Sequence, residues 1–142
     1  MAGDPTIVWM PGQVRTEIHL TGADTAGAFC LLVDELPAGW RLPAHRHRGE
    51  AETMHVLSGA MAVEVEGEER LVRVGETAYV PRGVLHSGHN AGAEPLRRVV
   101  IFSPAGMEDF FLQAGAGSPE EVDARAALDA ALAHGWEFPG AA

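Results

Sequence analysis

The chain has 142 residues, of which 46% are hydrophobic and 21% charged, as in a globular domain and unlike a disordered chain. Its net charge is -10 and all 10 basic residues are arginine, which argues against a nucleic-acid partner and excludes chemistry that needs a lysine. The single cysteine excludes an intramolecular disulfide, and the longest apolar run, residues 28–33, is too short to cross a membrane. Residues 1–11 lack the basic residues of a signal peptide. We therefore expect one cytoplasmic domain without a membrane segment.

The first hundred residues predict a β-rich fold. Short apolar or alternating runs are separated by glycine, proline, asparagine and aspartate, which is typical of an all-β sandwich or barrel. The alternation is clearest where Met61, Val63 and Val65 predict one buried face of a strand. The predicted strands are residues 7–10, 14–20, 28–36, 52–58, 61–66, 71–74, 77–80, 85–89 and 96–103.

After Ser103 the spacing of apolar residues becomes helical. A first helix, ending at Gly115, is predicted from the recurrence of Met107, Phe110, Phe111 and Ala114. A second helix is predicted from the N-cap Ser118 to the residue before Gly135. Its predicted buried stripe consists of Val122, Ala126, Leu128 and Leu132. The expected domain is thus a barrel over about residues 5–103, followed by a helical segment over about residues 104–142.

Four potential metal ligands stand at informative spacings. His45 and His47 are two residues apart, so on an extended strand both side chains leave the same face. Glu52 follows at an odd spacing from His45, and a turn or bulge at Gly49 must therefore reset the phase. Together with His86 they form a set of three imidazoles and one carboxylate. This set suits one divalent ion of Fe, Mn, Ni, Co, Cu or Zn and leaves coordination positions open.

Two longer patterns surround these residues. From residue 39 the chain reads G-x5-H-x-H-x4-E-x6-G, and from residue 75 it reads G-x5-P-x-G-x2-H-x3-N. Both resemble the two motifs of the cupin superfamily, and every fixed position matches. The resemblance implies a double-stranded β-helix, or jelly-roll barrel, with a metal held inside by His45, His47, Glu52 and His86. In its small size and helical ending the chain is similar to single-domain bacterial cupins of the quercetin dioxygenase-like group.

This resemblance implies a metal-dependent dioxygenase, an oxidoreductase, that acts on a small enol or phenolic molecule, with Glu52 as both metal ligand and catalytic base. Two alternatives stay open: a metal-dependent isomerase, lyase or cyclase without redox chemistry, and a non-enzymatic module that binds a small molecule. Glu50 is an alternative ligand, although its register favours a solvated loop carboxylate. Single-barrel cupins are commonly dimers, so we expect a homodimer in which the partner covers a sheet edge or the N-terminal strand.

Strand parity predicts which residues surround the metal. If Glu52 faces the barrel interior, Met54 does so too, whereas His55 faces outward and is expected to serve packing or a dimer contact. Gly88 lies two residues after His86, where a missing side chain either widens the cavity or permits tight packing. The predicted substrate-binding residues are Trp40, Met54, Met61, Tyr79, Gly88 and Phe102, with Tyr79 contributing a hydroxyl.

Overall fold

The structure, a computed structural model, describes residues 3–140. Its strands are β1 (Thr6–Met10), β2 (Val14–Leu20), β3 (Cys30–Leu36), β4 (Arg41–His47), β5 (Ala51–Ser58), β6 (Met61–Val65), β7 (Glu68–Val72), β8 (Thr77–Val80), β9 (His86–Asn90), β10 (Leu96–Ser103) and β11 (Trp136–Glu137). Its helices are α1 (Gly22–Thr25), α2 (Met107–Ala114) and α3 (Ala124–Ala133), with a 3₁₀ turn at Pro119–Glu121.

The strands form two antiparallel sheets. The larger sheet has six strands in the order β1-β2-β3-β10-β5-β8, and the smaller has five in the order β11-β4-β9-β6-β7. Burial alternates most clearly along β2, β5, β8 and β10, and the inner faces of both sheets supply the core. The predicted fold, an all-β jelly roll followed by helices, is confirmed.

Strand β5 shows how this alternation orients the chain. Glu52, Met54 and Val56 are buried, whereas Thr53 and His55 are only half-buried. The parity predicted for this strand is therefore confirmed. Nδ1 of His55 lies 2.8 Å from Oγ1 of Thr77 on the neighbouring β8, away from the interior.

The prediction for the second helix is wrong at its start and on its buried face. The helix begins at Ala124, because the carboxylate of Asp123 accepts hydrogen bonds from the amides of Arg125 and Ala126, both at 3.1 Å. Its buried side consists of Ala127, Ala130 and Ala131. Small side chains let α3 pack closely against α2, while Leu128 and Leu132 of the predicted stripe are 44% and 52% exposed.

Shorter elements also differ from the prediction. The structure contains three elements that the sequence analysis does not predict, namely the strands β4 and β11 and the single-turn helix α1. Within residues 3–140, none of the helices has the length and apolar character needed to cross a bilayer. Strand β1 is one edge of the larger sheet, and the homodimer that would cover such an edge stays a prediction.

Candidate metal centre

The two sheets meet at a cluster of His45, His47, Glu52 and His86. Strand β4 carries the first two histidines and pairs with β9, where His86 is the direct partner of His45. Glu52 projects from β5 in the opposite sheet. A bend at residues 48–49, where the spacing predicted a turn or bulge, separates β4 from β5, and the chain passes there from the smaller sheet to the larger. One potential ligand atom from each of the four residues lies within 4.8 Å of the others, and all four residues are buried.

Backbone carbonyl groups orient two of the imidazoles. Nδ1 of His45 lies 2.8 Å from the carbonyl oxygen of Pro43, and Nδ1 of His86 lies 3.1 Å from that of Val84. A carbonyl oxygen can only accept, so each Nδ1 carries the hydrogen and donates it. In the neutral form of each ring the lone pair is therefore on Nε2, which is the arrangement of histidines that bind metals.

His47 supplies the test of whether the cluster fits a metal. Both of its ring nitrogens are buried and have no hydrogen-bond partner among the described residues. Its Nε2 lies 3.2 Å from Oε1 of Glu52, and Nε2 of His86 lies at the same distance from that oxygen. An unsatisfied buried polar group costs about 1–3 kcal/mol, and a metal ion at the centre would satisfy it. The four residues thus fit a divalent transition metal.

The pKa shifts of His45 and Glu52 favour the protonation states that bind a metal, whereas that of His86 opposes it. Burial lowers the pKa of His45 to about 4, so this imidazole is neutral at physiological pH. Burial alone would raise the pKa of Glu52, but the contacts with His47 and His86 outweigh it and hold the pKa well below its usual range. Burial alone would lower the pKa of His86, but the adjacent Glu52 carboxylate raises it overall.

Aromatic rings from the C-terminal segment cover the cluster. The ring of Trp136 stacks on His45 with centroids 4.9 Å apart and meets His47 edge-on at 4.5 Å. Phe138 lies 5.9 Å from His45. Neither ring was predicted to lie at the site. They reach it because β11 pairs with β4, and these two strands are distant along the chain.

A cavity of about 170 Å³ opens beside the cluster. Among the predicted substrate-binding residues, Trp40, Gly88 and Phe102 line it. A Cβ at Gly88 would lie 3.9 Å from the Trp40 indole and 3.5 Å from the carbonyl oxygen of Ala62, which are ordinary contact distances, so packing does not require glycine at this position of the wall.

Three other predicted residues lie elsewhere. Met54 and Met61 are fully buried, with their sulfur atoms 3.2 and 3.3 Å from Nη1 of Arg98, which itself lines the cavity. Tyr79 does not line the cavity, contrary to the prediction. It is 60% exposed on the outer face of β8, because Ala78 and Val80 take the inward positions.

Sequence reasoning missed three buried polar residues of the cavity wall, namely Thr16, Asp34 and Arg98, and the half-buried Ser87. The alternation of inward and outward positions along a strand could have identified two of them. Asp34 is in phase with the inward-facing Leu32 and Leu36, and Arg98 is in phase with the inward-facing Val100. A charged residue at an inward strand position is a stronger indication of a site than an apolar one.

The fold and the buried donor set define a jelly-roll protein with a candidate metal centre. Residues 32–102, half of the chain, match the family model described as "Cupin domain". The chain belongs to this cupin family.

Two curated relatives and one solved structure are similar to the chain. Quercetin 2,3-dioxygenase of Bacillus subtilis is 29% identical over 106 residues, covering 75% of this chain and 31% of the relative. Oxalate oxidase 1 of Hordeum vulgare is 32% identical over 103 residues, covering 65% of this chain and 51% of the relative. The structure of KdgF from Halomonas sp. has a TM-score of 0.63 at 22% identity, covering 75% and 91%. The chain thus spans about a third to a half of the length of these curated relatives.

Proposed function

We propose that the protein is a mononuclear metal-dependent dioxygenase that acts on a small enol or phenolic molecule. The observation that carries the proposal is a buried set of three imidazoles and one carboxylate at an apolar cavity of about 170 Å³. A redox-active divalent ion held by these four residues would supply the Lewis acidity and electron transfer that dioxygen chemistry requires. The similarity to quercetin 2,3-dioxygenase supports this reaction class.

The cavity favours a ring-bearing substrate over a small dianion such as oxalate. Its walls include Trp40, Phe102 and Phe110, which suit an aromatic or enol ring. The guanidinium group in the wall, on Arg98, is already neutralised by Asp34 at 3.0 and 3.1 Å. A carboxylate remote from the metal centre would therefore find no uncompensated cation among the residues that line the described cavity.

Glu52 is the group we assign to proton transfer. Its carboxylate is ionised at neutral pH and is the anionic group of the cluster, so it could accept the proton of an enol or phenol hydroxyl whose acidity a bound metal would raise. Deprotonation makes the substrate electron-rich and able to react with dioxygen. The surrounding aromatic side chains hold the ring in place and limit the access of water.

The proposal predicts oxygen consumption that depends on Glu52. Protein loaded separately with Fe, Mn, Ni, Co, Cu or Zn is mixed with catechol, 3-hydroxy-4-pyranone and a flavonol, and dissolved oxygen is recorded. We expect uptake of one O₂ per substrate with at least one redox-active ion and none with Zn. The Glu52→Gln variant should lose at least about 100-fold in rate, since general-base catalysis contributes about that much or more.

Glu50→Gln is the matched control, because Glu50 is a nearby carboxylate outside the cluster. It should retain the wild-type rate. Turnover that proceeds without oxygen and with Zn would instead identify an isomerase, lyase or cyclase. Tight binding without turnover for every ion would identify a binding module, and either result contradicts the dioxygenase.

Metal binding is expected to weaken as the pH falls below about 6. The imidazoles must be unprotonated to bind, and the Glu52 carboxylate, which raises the pKa of His86, favours the protonated form of that ring as the pH falls. Elemental analysis after dialysis between about pH 7.5 and pH 4 measures the loss. Unchanged metal content at about pH 4 would contradict these ligands.

A further inference from the structure

Three polar residues form a continuous row across the larger sheet. Asp34 on β3 is the direct partner of Thr16 on β2 and of Arg98 on β10. Direct partners on neighbouring strands present their side chains on the same face, and all three residues line the cavity. Thr16 is 1% exposed, and Asp34 and Arg98 are each 7% exposed. The cavity therefore has a second polar wall besides the metal centre.

This row lies beyond the metal centre along the strand direction. On β10, Arg98 precedes Phe102, the partner of Glu52, by four residues, or about 13 Å of backbone. The Arg98 side chain shortens this distance, because its Nη1 lies 3.2 Å from the sulfur of Met54. Met54 pairs with Val100, which lies halfway between Arg98 and Phe102 on β10. A molecule bound between the two polar walls would meet the metal centre at one end and this row at the other.

The ion pair holds Arg98 in one position. Nε and Nη2 donate to the Asp34 carboxylate at 3.0 and 3.1 Å, and the guanidinium lies 5.2 Å from the centroid of the Trp40 ring. Nη1 faces only the sulfur atoms of two methionines, which are weak acceptors. The pair of Asp34 and Arg98 has no net charge, and Nη1 of Arg98 can still donate a hydrogen bond to a ligand in the cavity.

Thr16 is the observation that points to a ligand. Its hydroxyl is buried on the cavity wall and has no hydrogen-bond partner within residues 3–140. A buried polar group without a partner is rare in folded proteins and calls for an explanation. A hydroxyl both donates and accepts, so a neutral ligand oxygen would satisfy it.

We propose that Thr16, Asp34 and Arg98 form a polar subsite that binds a neutral hydroxyl group on the end of the substrate remote from the metal centre. A neutral group is favoured because the charges of Asp34 and Arg98 cancel. A cavity of about 150 Å³ is sufficient for benzene, so the 170 Å³ found here fits a single ring. The substrate class is a one-ring enol or phenol with a second hydroxyl opposite the first. This inference rests on the proposed function, because it takes the metal centre as the site of the first oxygen.

The test compares two probes that differ only at the remote end. 4-Hydroxybenzohydroxamic acid and 4-methylbenzohydroxamic acid carry the same chelating group, with a hydroxyl or a methyl of similar size opposite it. Their dissociation constants for Zn-loaded protein are measured by titration calorimetry. We expect the hydroxyl probe to bind at least about tenfold more tightly, a difference typical of a hydrogen bond in a buried site.

The Thr16→Val variant keeps the shape of the side chain and removes its hydroxyl. It should reduce the preference for the hydroxyl probe to less than about threefold and leave binding of the methyl probe unchanged. Its melting temperature should equal or exceed that of the wild type, since an unpartnered buried hydroxyl is removed. Thr53→Val makes the same change on the outer face of β5 and should retain the full preference.

Equal affinity of the two probes for the wild type overturns the subsite while leaving the metal centre intact. A lower melting temperature of Thr16→Val assigns the hydroxyl a structural role and overturns it too. Failure of both probes to bind protein that carries one zinc per chain shows that the cavity takes no one-ring ligand. If the protein does not bind zinc, the proposed function is overturned, and the subsite that depends on it is overturned too.

Discussion

Replacing His47 with leucine is expected to stabilise the metal-free protein and to remove most of its stabilisation by metal. Both ring nitrogens of His47 are buried without a hydrogen-bond partner among the described residues. An apolar side chain of similar volume relieves that penalty but also removes the 3.2 Å contact with Glu52, so the net rise in the free energy of unfolding should be at most about 1 kcal/mol. Loss of one ligand should weaken metal binding at least about 100-fold. At a metal concentration of about 100 times Kd, the stabilisation would fall from about 2.7 to about 0.4 kcal/mol.

Chemical denaturation with and without metal measures both effects. His55→Leu is the matched control, because His55 lies on the outer face of β5 and is not part of the cluster. It should leave the stabilisation by metal unchanged. If His47 serves only core packing, its replacement should destabilise the protein and metal should act equally on variant and wild type. That pair of results would contradict a metal centre.

The candidate metal centre could be predicted from the sequence because its spacing rules are local. The separation of His45 and His47 sets their common face, and the bend at residues 48–49 leads into β5, from which Glu52 faces them across the two sheets. His86 is distant along the chain, and it was placed through the resemblance of its surrounding pattern to a cupin motif. The structure places all four side chains in one cluster.

The parts that sequence reasoning missed depend on contacts between distant strands. Trp136 covers the histidines only because β11 joins the edge of the smaller sheet next to β4. The capping pattern at Ser118 forms a single 3₁₀ turn and does not begin α3. The hydroxyl of Ser118 donates to the carboxylate of Glu121 at 3.0 Å within this turn. Asp123 begins the helix five residues later, and packing against α2 selects its alanine face over its leucines.

Replacing Arg98 with methionine is expected to cost about 3–5 kcal/mol of unfolding free energy at pH 7, because it leaves the buried Asp34 carboxylate without its cation. The double variant Asp34→Leu/Arg98→Met removes both charges and should recover most of this loss. A double-mutant cycle that also includes the single variant Asp34→Leu measures the coupling of the pair. Arg125→Met is the control for the substitution itself. Arg125 pairs with Asp129 on the surface of α3, with both side chains largely exposed, so its loss should cost less than about 1 kcal/mol.

The pH dependence of the Arg98→Met variant separates loss of charge pairing from loss of packing. Burial raises the pKa of Asp34, and the charge of Arg98 opposes this shift. Without Arg98 the pKa rises further, so the folded variant binds a proton at a pH where the unfolded chain has released it. Stability conferred by that proton is present at low pH and is lost as the pH rises through the folded-state pKa. The destabilisation of Arg98→Met relative to wild type should therefore be smaller at about pH 5 than at about pH 7. An equal deficit at both values would mean that Arg98 stabilises the cavity wall through packing against Trp40, Met54 and Met61, and not through its charge.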